Sequence, residues 1–228
     1  MEAPQWKTSI AQTLSKSPSV ANRMLQLSSL DASDPSRPYI RSFFFHSFVS
    51  AATCPSHPVL VAPVDMRTPK LAHLLAHSKI RLSWHLPDAG EQYHIAGTVA
   101  ILPTPQDTLY PHYAFAIRRP EANSGLRALA DEGFDWDKLR KEVYHSLDAR
   151  QRRSFASRRL PGSSIPVEEA SNSEDSPEVE EHAAQSNMGL VVIDPAEVEV
   201  LEMEEWPSTR RTRYWRSRDG IWESELLA

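Results

Sequence analysis

The chain has 228 residues, of which 40% are hydrophobic, and it carries one cysteine and a formal net charge of −5. This length and composition predict one folded domain with a sizeable core, and the small negative charge gives no reason to expect a nucleic acid or a membrane as partner. The single cysteine excludes an intrachain disulfide and indicates a reducing compartment. Because neither a secretory signal nor an apolar run of the roughly 20 residues that span a bilayer is found, we expect a cytoplasmic protein.

The N-terminal segment predicts two short helices. Trp6, Ile10 and Leu14 recur at every fourth residue, which is the spacing of one apolar helix face, and this helix is expected to cover one end of the fold. A second short helix is predicted over residues 20–27, followed by a loop rich in Asp and Ser that leads into the first strand.

Residues 37–102 predict extended runs interrupted by one helix. Residues 39–49 and 59–64 are rich in Phe, Val and Ile, and the runs 79–86 and 92–102 flank the turn sequence Pro87-Asp88-Ala89-Gly90. Cys54 is followed by Pro55 and Pro58 in a predicted loop. Since a cysteine acts as a nucleophile only beside a positioned base, we interpret Cys54 as a loop residue without chemistry of its own.

The helix in this region begins at a group of polar and basic residues. Thr68 is predicted to accept hydrogen bonds from the first turn, Pro69 suits the first helical position, and Arg67 and Lys70 stand on either side. A helix N-terminus with a hydroxyl, an ammonium and a guanidinium within four residues can hold a dianionic phosphate. The alternative interpretation is a solvated helix start with two surface cations.

Three segments in this order carry a resemblance to a known family. They are RPYIRSFFFH at 37–46, VDMRTPK at 64–70 and EQYHIAG at 91–97. They resemble the successive FMN-binding segments of the pyridoxamine-phosphate-oxidase-like split-barrel proteins, in particular a flavin-binding subgroup found in cyanobacteria and fungi. The matching positions are Arg41, Asp65, Arg67, Thr68, Lys70, Trp84, Glu91, Gln92, Ile95 and Gly97.

The resemblance implies a mainly β fold with α (α+β): an FMN-binding split β-barrel of six or more antiparallel strands with peripheral helices. It implies that Arg41, Asp65, Arg67, Thr68 and Lys70 belong to the cofactor-binding site, and that Arg41, Arg67, Thr68 and Lys70 hold the phosphate and ribityl end of FMN. Gln92 would face the flavin ring, because an amide can donate to and accept from its pyrimidine edge. The resemblance also implies a homodimer with the flavin at the interface, so that one chain alone has an incomplete pocket.

Several positions depart from the family pattern. His46 stands where the oxidases have a substrate-contacting Lys, and Val64 replaces a Thr that helps to bind flavin. Near the C-terminus the oxidases have an Arg-x-His-x-Arg segment, where this chain has Thr209, Arg211 and Arg213. Arg213 matches the flavin-contacting Arg, whereas the substrate-contacting pair is lost. The substrate is therefore unknown.

The second half of the chain predicts helices, an acidic loop and closing strands. Residues 135–155 predict one or two helices, with Asp135 and Asp148 as caps, that cross one side of the barrel. Residues 163–187 hold seven acidic residues and no Lys or Arg, and we predict that they form a disordered acidic loop inserted in a single domain spanning 1–228. Strands are predicted at 188–193, 198–203, 209–215 and 221–227, with Arg218-Asp219-Gly220 as a hairpin turn.

The sequence gives few indications of catalytic or metal-binding residues. His73 and His77 are four residues apart, but without a third ligand we expect partly exposed surface histidines and no metal site. No Ser-His-Asp or paired-carboxylate arrangement is found, and hydride transfer by FMN needs none. Three functional hypotheses follow: an FMN-dependent oxidoreductase, a catalytically inactive split barrel that binds flavin or another phosphate ligand, and a scaffold that binds partners through the acidic loop.

Overall fold

The computed structural model describes residues 2–108, 110–113, 117, 120–157, 159–163, 177–205 and 208–227. Its strands form one nine-stranded antiparallel sheet with seven of them in the order β2-β1-β5-β6-β7-β4-β3, while β8 pairs with β7 and β9. The strands are β1 Met24–Leu30, β2 Pro38–Phe44, β3 Ser47–Val49, β4 Val59–Asp65, β5 Lys79–Leu86, β6 Glu91–Leu102, β7 Met188–Glu205, β8 Ser208–Arg216 and β9 Trp222–Leu227. Strand β2 also packs against β4, which closes the sheet into a barrel.

Helices surround this barrel. Among the described residues they are α1 Gln5–Lys16, α2 Lys70–Ala76, α3 Tyr110–Tyr113, α4 Gly125–Asp131, α5 Trp136–Ser146, α6 Ala149–Ala156 and α7 Pro177–Asn187. The predicted mainly β fold with peripheral helices is confirmed. None of the helices in the described ranges is long and apolar enough to cross a membrane.

The inner face of the barrel carries the first of two cores. Alternation along the strands places Leu25, Trp84 and Tyr93 in one row across β1, β5 and β6, each at most 1% exposed. Helix α1 buries Trp6, Ile10 and Leu14 against this core, as its four-residue spacing predicts. The ring of Trp6 packs edge-on against that of Trp222, with 5.4 Å between the ring centroids, and this contact joins α1 to the last strand, β9.

The second core lies on the other face of β4, β6 and β7. Strand β4 is buried on both faces, because Leu60 and Val64 belong to the first core and Val59 and Val61 to the second. Helices α4 to α7 supply much of the remaining apolar surface. The predicted caps are confirmed here: the Asp135 side chain accepts from Lys138 N at the start of α5, and Asp148 forms a capping box with Gln151 at the start of α6.

Three local predictions are wrong. The runs 188–193 and 198–203, predicted as separate strands, form the single strand β7. Residues 20–27 do not form a second helix: a 3₁₀ turn at Ala21–Arg23 leads directly into β1. Leu25 and Leu27 both point into the barrel with a period of two, and sheet pairing on both sides of β1 outweighs the local helical pattern. The last eleven residues of the predicted disordered loop form α7. Ala184 of this helix is buried in the second core and α7 packs on α6, so tertiary contacts outweigh the acidic composition; residues 164–176 lie outside the described part of the chain.

Candidate functional site

The start of α2 differs from the predicted capped helix. The helix begins at Lys70 with Pro69 as N-cap, and no side chain accepts from its first turn. The Thr68 backbone N–H donates to Asp65 O at 3.1 Å and closes a turn before the helix. The predicted cap is therefore wrong. Thr68 Oγ1 is instead buried and has no hydrogen-bond partner within the described part of the chain, which leaves a hydroxyl available to a bound molecule.

Arg67 and Asp65 form a bidentate pair. Arg67 Nε lies 3.0 Å from Asp65 Oδ1 and Nη2 lies 2.6 Å from Oδ2, and both side chains are mostly buried. The same guanidinium donates to two carbonyls at the end of α6, from Nη1 to Ser157 O at 2.6 Å and from Nη2 to Phe155 O at 3.2 Å. The bond to Asp65 raises the pKa of Arg67. This pair joins the end of β4 to the C-terminus of α6 and leaves one N–H of Nη1 uncommitted.

Arg41 and Lys70 form a second basic group beside this pair. Lys70 Nζ lies over the Phe43 ring, 4.1 Å from its centre, and the Arg41 guanidinium lies 4.6 Å from the centre of the Tyr39 ring. Tyr39, Arg41 and Phe43 alternate along β2 and therefore share one side of the strand. Sequence reasoning missed the two aromatic supports, although the period of two from Arg41 would have identified them.

The electrostatics of this group favour an anion. Burial lowers the pKa of Lys70, the neighbouring Arg41 lowers it further, and Asp65 opposes the shift. Among the described residues, no ion pair joins a carboxylate to either cation. Two neighbouring cations that form no ion pair, next to a buried hydroxyl with no partner among the described residues, favour the binding of a phosphate.

His73 extends this group along α2. Its ring lies 4.9 Å from the ring of Tyr39, and its Nε2 lies 3.7 Å from Asp31 Oδ2. Hydrogen bonds from Ser33 lower the pKa of Asp31 to about 2, so this carboxylate is ionised at neutral pH. The His73 side chain is 12% exposed, so the prediction of a partly exposed histidine is confirmed. No group of three or more potential metal ligands occurs within the described residues.

Gln92 and Arg213 lie away from the two basic groups. Tyr93, next to Gln92, points into the barrel, so Gln92 faces outwards, where its Nε2 donates to Ser83 Oγ at 3.0 Å. Arg213 lies two strands away on β8 and donates to Glu197 Oε2 at 2.6 Å. Arg41, by contrast, pairs with Leu27 of β1, whose side chain faces the inside of the barrel, so Arg41 lies on the inner face of the sheet. A single chain thus brings Arg41, Asp65, Arg67, Thr68 and Lys70 together and leaves Gln92 and Arg213 on the outer face.

His46 is held by two serines. Its Nε2 lies 2.8 Å from Ser146 Oγ and its Nδ1 lies 3.0 Å from Ser47 Oγ. Because Ser146 donates its own hydrogen to Val143 O at 2.6 Å, it accepts from Nε2, and the ring is neutral with Nδ1 as acceptor. Burial, and then the charge of Arg23, lowers the pKa of His46. A neutral imidazole thus stands at the position where the resembled oxidases carry a lysine.

Two cavities lined by described residues lie elsewhere. One of about 250 Å³ lies under α1 at the end of the barrel, between Trp6, Glu91 and Tyr214. Another of about 430 Å³ lies between the ends of β1 and β5, beside Ser29 and Arg81. Neither cavity is lined by any of the seven residues predicted to bind a cofactor.

Comparison with known proteins gives the fold and a family match over the first 103 residues. Residues 3–103 match the family model described as pyridoxamine 5′-phosphate oxidase, FMN-binding domain. The structure of a pyridoxamine 5′-phosphate oxidase-related, FMN-binding protein from Nostoc punctiforme superposes with a TM-score of 0.68 at 21% identity and covers all of both chains. PhzG from Burkholderia lata, solved with tetrahydrophenazine-1-carboxylic acid, gives a TM-score of 0.57 at 12% identity over 96% of this chain and 89% of that one. No curated protein sequence matches the chain.

At these identities the two solved structures establish the fold, and the family model covers the segment that carries all the predicted cofactor residues except Arg213. Together they confirm the resemblance drawn from the three motifs: residues 3–103 match the FMN-binding domain of the pyridoxamine 5′-phosphate oxidase family, and the chain shares the fold of the two solved structures.

Proposed function

We propose that this protein binds FMN and acts as a flavin-dependent oxidoreductase. The observation that carries the proposal is the pair of cations Arg41 and Lys70, which form no ion pair within the described residues, beside the buried hydroxyl of Thr68, which has no hydrogen-bond partner there. These three groups fit the phosphate of FMN, because a dianion would offset the repulsion between the cations and accept from the hydroxyl. FMN, when bound, would supply the hydride-transfer chemistry.

Arg67 and Asp65 have a positioning role in this proposal. Most N–H groups of Arg67 donate to Asp65 and to the carbonyl oxygens at the end of α6. One N–H of Nη1 has no partner among the described residues and is available to the phosphate. Asp65 fixes the guanidinium and contacts no phosphate itself, since two anions would repel. The pair thereby holds the turn that carries Thr68 and Lys70 against the barrel.

Gln92 and Arg213 lead us to propose a homodimer. Both lie on the outer face of the sheet, away from Arg41 and Lys70. A second copy of the chain could complete the site if its outer face met the phosphate group of the first, with Gln92 against the flavin ring and Arg213 nearby. Mass measurement in solution tests this proposal, because a monomer that binds FMN with full affinity would contradict it.

Affinity measurements test the phosphate proposal directly. FMN and riboflavin, which differ only in the phosphate, are titrated into the protein while flavin fluorescence is followed. Charge-assisted hydrogen bonds contribute about 1.5–3 kcal/mol each, so we expect the dissociation constant for FMN to rise by roughly 10- to 100-fold in Lys70→Met and in Arg41→Ala. Riboflavin binding should change little in both variants.

The matched control is Lys138→Met, which removes an exposed lysine of α5 and should leave both affinities unchanged. Equal affinity of the wild type for FMN and riboflavin would contradict phosphate recognition by this group. A wild-type protein that binds neither flavin would contradict the proposed function as a whole.

A catalytically inactive flavin-binding protein is the second candidate. His46 favours it, since a neutral imidazole tied to Ser47 and Ser146 cannot supply the positive charge of a lysine. A bound flavin that reductants bleach and air reoxidises, with turnover of an amine or alcohol, would support the oxidoreductase. A bound flavin without turnover of any such donor would support the second candidate.

A further inference from the structure

Cys54 lies beside a positioned base. Its Sγ is 2.8 Å from Nδ1 of His57, and Nε2 of the same ring is 2.5 Å from the carbonyl oxygen of Gly220. A carbonyl oxygen can only accept, so Nε2 carries the ring hydrogen, and Nδ1 of the neutral imidazole presents a lone pair to the thiol. The three groups therefore stand as nucleophile, base and orienting acceptor.

The fold fixes this arrangement from several directions. The imidazole of His57 is buried, with His57 only 6% exposed. The loop that carries both residues is tied to the β8–β9 turn, because Trp222 Nε1 donates to Ser56 O at 2.8 Å. On its other side, the carboxylate of Glu132 accepts from the backbone N–H groups of Ala52 at 3.0 Å and Thr53 at 2.6 Å. Hydrogen bonds to residues outside the pair therefore fix the position of the thiol relative to the ring.

The contact between the Gly220 carbonyl and the His57 ring requires a glycine at position 220. Its φ of +80° lies in the left-handed region, and a Cβ at this position would lie 3.2 Å from His57 Cε1. The turn therefore needs a glycine both for its backbone and for the close approach of the carbonyl to the ring. Cys54 itself is only partly buried, so a small reagent can reach the sulfur while its base stays enclosed.

We propose that Cys54 is a site of covalent modification by small electrophiles, with His57 as the base that accepts the thiol proton. With hydrogen peroxide as the electrophile, the proton moves from sulfur to Nδ1 and the thiolate attacks one peroxide oxygen. An S–O bond forms as the O–O bond breaks, the sulfur is oxidised to a sulfenic acid, and the leaving hydroxide takes the proton from His57 as water. Because the chain has no second cysteine, the sulfenic acid can form a disulfide only with an external thiol.

This site is separate from the proposed flavin site. Cys54 packs against the second core, whereas Phe43 beneath Lys70 belongs to the first. The proposal therefore does not depend on FMN binding. Flavin affinity and thiol reactivity can fail or succeed independently.

Alkylation kinetics test the proposal, since the single cysteine makes every labelled thiol a report on Cys54. Protein without added flavin is treated with iodoacetamide at pH 7, and the modified fraction is followed by intact mass. We expect the wild type to react at least tenfold faster than the same protein unfolded in urea and at least tenfold faster than His57→Gln. His85→Gln, which replaces an exposed histidine of β5, should react like the wild type.

A second measurement covers the case in which His57→Gln unfolds. Hydrogen peroxide is added to the wild type in the presence of dimedone, which traps sulfenic acids, and the mass increase is compared for native and urea-unfolded protein. Faster trapping in the native protein supports the proposal. Native protein that is alkylated and trapped no faster than the unfolded chain would overturn it, as would a folded His57→Gln variant with the wild-type rate.

Discussion

Arg41 and Lys70 stand close enough for the charge of the arginine to lower the pKa of the lysine, and no ion pair joins either to a carboxylate in the described part of the chain. A charge placed in this way is destabilising unless an anion binds beside it. The pair therefore gives a stability measurement that needs no flavin.

Inorganic phosphate should raise the melting temperature of the wild type and leave that of Lys70→Met almost unchanged. A ligand that binds only the native state stabilises it by about 1.4 kcal/mol at ten times its dissociation constant. The measurement is a thermal melt in phosphate and in sodium chloride of equal ionic strength, which corrects for general screening. Equal stabilisation of both proteins by phosphate would show that Lys70 has no part in binding it.

Arg67 should contribute more to stability than an exposed arginine in an ion pair. Arg67→Lys loses the bidentate contact with Asp65 and the bonds to Phe155 O and Ser157 O, so we expect a loss of about 2 kcal/mol in the free energy of unfolding. Urea unfolding measures the change.

Arg127→Lys is the control for this prediction. Arg127 pairs with Asp131 on the surface of α4, where both side chains are more than half exposed, and the change should cost less than about 0.5 kcal/mol. If the two variants lose the same stability, the contacts of Arg67 at the end of α6 are not a structural clamp.

His46 should make the protein less stable as the pH falls. Burial holds its pKa below the usual value of 6.5, so between 6.5 and the lower folded-state pKa the unfolded chain binds more protons than the native one. The contribution of His46 to the free energy of unfolding is therefore fully present above about pH 6.5 and decreases as the pH falls towards the folded-state pKa. Urea unfolding at pH 7.5 and 5.5 should show a smaller decrease in His46→Gln than in the wild type. The same decrease in both proteins would show that His46 is not the source of the pH dependence. The control is His182→Gln, which replaces an exposed histidine of α7 and should show the same decrease as the wild type.

Most strands, though not β1, and the motif order could be predicted from the sequence because they depend on local patterns. Alternating apolar residues in β5 and β6 fixed the hairpin, and the segments around Arg41, Arg67 and Gln92 carried the resemblance to the family. The caps at Asp135 and Asp148 also follow from short-range hydrogen bonds. Each of these features is decided within a few residues of the chain.

The failures concern partners that are distant in the sequence. Thr68 does not cap α2, because its turn closes on Asp65 and its hydroxyl is buried. Arg67 is occupied by carbonyls about 90 residues away, which no local pattern reveals. The base beside Cys54 was three residues away, but its orientation depends on Gly220 in the last hairpin. Composition alone likewise could not predict that Ala184 would bury part of the acidic segment.

Gly220→Ala should destabilise the protein more than Gly162→Ala. Both glycines have a positive φ, +80° and +87°, and an alanine in that region costs about 1 kcal/mol at either position. At Gly162 a Cβ would meet no atom within 4 Å, whereas at Gly220 it would press on the ring of His57 at 3.2 Å, so we expect a further loss of about 1 kcal/mol. Urea unfolding of both variants, and of Gly220→Ala in a His57→Ala background, separates the two causes. The extra loss should disappear when the ring is removed; if it persists, the contact with His57 is not its source, and the Cβ of Asn123, 3.3 Å from the added Cβ, is the remaining close contact.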